Sequence, residues 1–123
     1  LIEKYDVRPR LKSLLFKNLS GGNQQKLVVA RELWQQPKFL LAAHPTRGVD
    51  LGASQTIHQE IFNCRSAGSA VLLISSDLDE LMRLSDRIVV IYDGKIQGQI
   101  SKQEFSQNHI ESKIGLMMTG GSV

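Results

Sequence analysis

The spacing of hydrophobic and polar residues changes several times along the chain, and each change marks a predicted element. From Gly22 to Gln36, apolar residues at Leu27, Val28, Ala30, Leu33 and Trp34 follow the period of an amphipathic helix that stops before Pro37. Lys38–Ala43 is then a continuous apolar run, which predicts a short strand buried on both faces. Gly52–Ala67 returns to helical spacing, with Ile57, Ile61 and Phe62 on one side and Gly68 as its stop. Ala70–Ile74 reads as a second buried strand with Ser75 and Ser76 at its carboxyl end, and Asp77 is placed to cap a short helix through Leu84. Arg87–Tyr92 and Lys95–Ile100 flank Asp93-Gly94, a dipeptide suited to a hairpin turn. Asn108–Met118 is helical, with Ile110, Ile114, Met117 and Met118 apolar, and the methionine pair is assigned to the core. The opening, Leu1–Leu19, mixes a short helical pattern with Pro9 and is expected to be irregular.

Strand, helix and strand in alternation predict an α/β fold: a parallel sheet with flanking helices, followed by an antiparallel hairpin. At 123 residues the chain holds at most one domain, and its start at Leu1 suggests a piece of one. It contains no apolar run long enough to span a bilayer and no signal-peptide pattern. The single cysteine, Cys64, excludes an internal disulfide and suits a reducing compartment. The net charge of +3 comes from lysines scattered along the whole chain, a solvated surface rather than the basic stripe that nucleic acid requires.

Two stretches carry candidate chemistry. In "LSGGNQQKLVVARELW", Leu19–Trp34, two glycines stand directly before a helix, where backbone N–H groups and the partial positive charge of a helix N-terminus favour an anion. Ser20 either caps that helix or donates its hydroxyl to a phosphate oxygen. In "FLLAAHPTRGVD", Phe39–Asp50, a strand runs into a Pro-Thr turn. Carboxyl ends of such strands gather ligands in open α/β sheets, yet here the positions are Ala42, Ala43 and His44. Asp50 is placed to cap the following helix. His44 lacks an evident second ligand, and His58 and His109 read as ordinary helix-surface residues.

Taken in order, "LSGGNQQK", the strand with its "PTRGVD" turn, and "DLDELMRLSDRIVVIYDGKI" resemble the second half of a nucleotide-binding domain of the ATP-binding-cassette (ABC) ATPases, over nearly all of the chain. The resemblance implies that residues 1–123 are the C-terminal portion of one such domain, a partial P-loop NTPase core running from the signature motif to the last helix. It assigns Ser20, Gly21, Gly22 and Gln24 to the signature that completes a partner cassette's ATP site, and Asp50 to the D-loop that meets the opposing cassette. It also makes Phe39–Ala43 the Walker B strand. The family's Mg²⁺-serving aspartate and water-activating glutamate would fall at Ala43 and His44, and its γ-phosphate-sensing histidine at Ser76. All three are absent, so that site is expected to bind nucleotide and turn over poorly. His44 is expected to be non-catalytic, and no residue here is assigned to catalysis or to a metal.

Within the family the motifs look like importers of simple sugars or nucleosides with two cassettes in one polypeptide, the lost Walker B acids favouring nucleosides. The implied partners are the first cassette, which would hold Mg²⁺ with ATP, the transmembrane permease subunits and, indirectly, a substrate-binding lipoprotein. The implied location is the cytoplasmic face of the cell membrane. The alternative is a non-transport ABC ATPase of DNA repair or translation. The sequence contains no Gly-x-x-x-x-Gly-Lys-Ser/Thr phosphate loop. The chain alone is therefore expected neither to bind ATP tightly nor to hydrolyse it, and either to self-associate through apolar surface that its missing half would cover or to be only marginally stable.

Overall fold

Helix α1 (Gly21–Trp34) begins where Ser20, in an extended conformation, accepts a bond from the Asn23 N–H, and it ends just before Pro37. Two further helices start the same way: Asp50 caps α2 (Leu51–Ser66) through Ala53 N–H, and Asp77 caps α3 (Leu78–Leu84) through Glu80 N–H. Strands β1 (Phe39–Ala43) and β2 (Ala70–Ile74) pair in parallel, Leu41 opposite Leu72, with α2 as the crossover. Strands β3 (Arg87–Tyr92) and β4 (Lys95–Ser101) form an antiparallel hairpin, followed by α4 (Ile110–Met118). At the hairpin turn Asp93 and Gly94 both adopt positive φ, +48° and +70°, as a two-residue turn of this hand requires. The computed structural model describes residues 2, 3, 5–10, 12, 13 and 15–121. Leu1, Lys4, Leu11 and Leu14, in the stretch expected to be irregular, lie outside the described residues, as do Ser122 and Val123.

The chain divides into two compact units, Leu1–Ser76 and Asp77–Val123. In the first, α1 packs on α2, and Ala53, Ile57 and Ile61 form the buried stripe of α2. A second cluster joins Tyr5, Val7 and Ala30, with Ile2, Leu19 and Leu27 against it. The described residues of the opening stretch form no α-helix or strand, only a 3-10 turn at Phe16–Asn18, yet Tyr5 and Val7 are core. In the second unit Ile88, Val90 and Ile100 of the hairpin meet Ile110, Ile114 and Met117 of α4, flanked by Leu78, Leu81, Met82 and Phe105. Each such fully buried side chain contributes roughly 1.5–3 kcal/mol. A 3-10 turn in this unit, Lys102–Glu104, absent from the sequence expectation, is fixed by Glu104 accepting from both the N–H and the hydroxyl of Ser101.

Three expectations need correction. Strands β1 and β2 are covered on one face only: Phe39 is 58% exposed and Leu41 57%, and Leu72 and Ile74 of β2 are also exposed. Both strands thus have an alternating burial that the composition of their apolar runs did not announce. Trp34, at the last residue of α1, is 69% exposed, whereas the buried positions of the helix are Gly22, Lys26 and Ala30. Phe62 and Met118 are also exposed, while their neighbours Ile61 and Met117 are buried. Adjacent helical residues point about 100° apart, so one of each pair takes the core.

Candidate functional site

The loop entering α1 is held from both sides by side chains of its own motif. Ser20 Oγ accepts from Asn23 N (3.4 Å) and from Asn23 Nδ2 (3.0 Å), which leaves its own hydroxyl proton to donate. Asn23 Oδ1 in turn accepts from the Arg8 N–H at 3.0 Å. Gln24 turns back along the chain, donating to the carbonyls of Leu19 (3.0 Å) and Phe16 (3.3 Å). Donation from Gln24 Nε2 to a nucleotide would require those two bonds to be exchanged. Gly21 is exposed, with nothing within 4 Å of the position its Cβ would occupy. Ser20, Gly21 and the first turn of α1 therefore present a hydroxyl and backbone N–H groups to an open surface, a donor set that fits a phosphate oxygen.

Behind this surface the packing is close. Gly22 is buried, and a Cβ there would lie 3.0 Å from Asp50 Oδ2 and 3.1 Å from Ala53 Cβ. Only a bare backbone lets the starts of α1 and α2 come together in this way. The Ala53 N–H is the main cause that holds the Asp50 carboxyl below the usual aspartate range. One turn further on, Lys26 is buried on α1, and its Nζ donates to the main-chain carbonyl of Asp6 at 3.2 Å. Gln25 Nε2 reaches the carbonyl of Pro45 at 2.8 Å. Asn23, Gln25 and Lys26 thus anchor the loop to the Asp6–Arg8 segment and to the turn after β1. The motif contained them, but nothing local in it shows which distant carbonyl each one reaches.

The two strand ends come together as expected. Ala43 pairs with Ile74, and the His44 N–H donates to the Ile74 carbonyl at 2.7 Å. His44 is exposed at φ +48°, and its carbonyl accepts from Arg47 N–H, closing the turn. Ser76, also exposed, follows two residues after Ile74. A methyl group, an imidazole and a hydroxyl thus occupy this end of the sheet, and no group of three metal-ligating side chains occurs among the described residues. The donor set does not fit a hard cation, which takes oxygen ligands and above all carboxylates. His109, at the start of α4, is exposed, while His58 and Cys64 on α2 are half-buried. A depression of about 620 Å³, lined in part by Tyr5, Trp34, Lys38, Glu60 and Cys64, contains none of the predicted site residues.

No family model matches the sequence. The fold is nonetheless that of an ABC ATPase cassette. A nucleotide-free ATP-binding cassette from an ABC transporter superposes with a TM-score of 0.77 over 94% of this chain and 46% of its own, at 23% identity. A dimeric bacterial ABC transporter cassette gives 0.71 over 82% and 44%, at 25% identity. Among curated relatives, the nucleoside import ATP-binding protein NupA of Lactococcus lactis is 43% identical over all of this chain and 24% of its own length. The guanosine import ATP-binding protein NupO of Bacillus subtilis is 45% identical over 99% and 23%. The ribose import ATP-binding protein RbsA of Clostridium perfringens is 40% identical over 89% and 22%. The chain belongs to the ATP-binding proteins of ABC transporters, within the group that includes sugar and nucleoside import proteins. It spans about a quarter of the length of these curated relatives.

Proposed function

We propose that this chain is the C-terminal portion of the second nucleotide-binding domain in a tandem-cassette importer of nucleosides or simple sugars, and that it supplies the signature motif to a composite ATP site. In this reading Ser20 donates its hydroxyl, and Gly21 and Gly22 their backbone N–H groups, to the phosphates of an ATP whose phosphate loop, Walker B acids and Mg²⁺ belong to the first cassette. Asp50 meets that cassette across the dimer. The site that includes Ala43, His44 and Ser76 holds nucleotide without hydrolysing it efficiently. The bare apolar face of β1 and β2 would be covered by the half of the domain that carries the phosphate loop. The intact protein would be an ATPase on the cytoplasmic face of the membrane, working with permease subunits and, through them, a substrate-binding lipoprotein. No helix among the described residues is long and apolar enough to cross a membrane.

The observation that carries this reading is a contrast inside one compact unit. Ser20 and Gly21 stand exposed at the start of α1, while the strand ends of the same unit offer Ala43, His44 and Ser76 and no carboxylate. The test is ATP turnover of the intact importer reconstituted with its permease. Ser20→Ala removes a donor aimed at charge that develops on the phosphate, a loss worth roughly 10²–10³ in rate. His44→Ala should change turnover only slightly. Ala43→Asp combined with His44→Glu should not rescue Ser20→Ala, because the restored acids face the other nucleotide. Turnover abolished by His44→Ala and spared by Ser20→Ala would reverse the roles.

A further inference from the structure

Gln25 lies one turn inside α1 and makes one of the few side-chain bonds between the signature helix and a distant part of the first unit. Its Nε2 donates to the Pro45 carbonyl at 2.8 Å, in a partly buried bond between residues twenty positions apart. Pro45 itself is buried and follows His44 directly. His44 is tied to the end of β2 by its N–H bond to Ile74 and closes the turn by accepting from Arg47. Two hydrogen bonds, joined through the covalent His44-Pro45 backbone, therefore link the end of β2 and the turn after β1 to the first turns of α1. The far end of the same turn is held too, since the Asp50 carboxylate lies against buried Gly22. Helix α1 grips the Pro45–Asp50 segment at both ends, at one by packing and at the other by a single donor.

We propose that Gln25 is a positioning residue. It locks the Ser20–Gly22 loop to the strand-end turn, so that the phosphate-facing donors keep their aim as one body with the ends of β1 and β2. This inference rests on the composite-site reading above. The acceptor is a carbonyl, so what matters is a donor of suitable reach rather than side-chain volume. Gln25→Met and Gln25→Glu keep the size but donate nothing at neutral pH, whereas Gln25→Lys keeps a donor on a stem of similar length.

The experiment measures steady-state ATP turnover of the intact importer for these three variants, beside Ser20→Ala and a thermal melt of each protein. Gln25→Met and Gln25→Glu should raise the half-saturating ATP concentration roughly three- to tenfold, the equivalent of one hydrogen bond, and lower maximal turnover. Gln25→Lys should stay within about twofold of the parent. A packing role predicts the reverse order, with methionine harmless and lysine harmful, and a half-saturation that does not move. Parent-like kinetics in Gln25→Met and Gln25→Glu, or equal impairment in Gln25→Lys, would overturn the proposal while a crippled Ser20→Ala left the composite site standing. If Ser20→Ala itself turned over normally, the composite-site reading would fail and the role of Gln25 with it.

Discussion

Gly21 and Gly22 are adjacent in the sequence and chemically identical, yet their surroundings call for opposite responses to a methyl group. At Gly22 the added Cβ would lie 3.0 Å from Asp50 Oδ2 and 3.1 Å from Ala53 Cβ, and at Gly21 it would meet nothing within 4 Å. The Asp50 carboxylate can swing away by a few tenths of an ångström, but only by loosening its 2.9 Å bond to Ala53 N–H. Ala53 Cβ cannot yield without moving α2. Overpacking costs about 1–3 kcal/mol, with the loosened cap in addition. Against this, alanine gains at most about 1 kcal/mol over glycine in helix propensity. With the loosened cap and the propensity gain roughly offsetting each other, Gly22→Ala should lose about 1–3 kcal/mol, a fall in melting temperature of roughly 4–24 °C at about 4–8 °C per kcal/mol. Gly21→Ala should melt at or slightly above the parent. In the intact importer it should still depress turnover, because its methyl group would occupy the surface through which a phosphate approaches. Calorimetric melts of both variants, with turnover measured alongside, test the pair. A Gly22→Ala protein as stable as the parent would show that the starts of α1 and α2 do not meet as closely as described.

The chain by itself should show no magnesium-dependent ATP turnover, and a rate that co-purified with it and vanished in Ser20→Ala would contradict this. The face formed by Phe39, Leu41, Leu72 and Ile74 should drive self-association, since each Å² withdrawn from water is worth about 25 cal/mol. Light scattering should then show Leu41→Glu with Leu72→Lys, which face each other across the sheet, shifted toward monomer. Asp50 is held below its ordinary value of 3.8, chiefly by the Ala53 N–H, so its contribution is full above the carboxylate range and fades as pH falls through the folded value. Acid unfolding should accordingly be less steep in Asp50→Asn, which keeps a cap without the charge. Tyr5 behaves in the opposite sense. Burial, followed by the hydrogen bond to Glu60, pushes its hydroxyl from 10.0 up to about 12, so its contribution is full below pH 10 and is lost as pH climbs toward 12. Tyr5→Phe should flatten that alkaline slope in equilibrium unfolding.

The order and limits of the elements were legible in the sequence because the signals that set them are local. Ser20, Asp50 and Asp77 cap helices within three residues of themselves, Pro37 ends α1, and Asp93-Gly94 closes a turn between its own neighbours. The motif residues of the candidate site were legible for the same reason, as was the missing carboxylate after β1. What each face meets depends on contacts across tens of residues, and those the tertiary structure decided. A continuous apolar run carries no sign of which side will be covered, so β1 and β2 turned out half bare. Lys26 reads as a surface residue until the Asp6 carbonyl, twenty residues away, accepts its ammonium and lets it be buried. Tyr5 and Val7 show no period at all, yet they close a core cluster with Ala30. Gln25 and Gln24 are the same residue side by side. About 100° of helix rotation sends one back to the Leu19 and Phe16 carbonyls and the other across to Pro45.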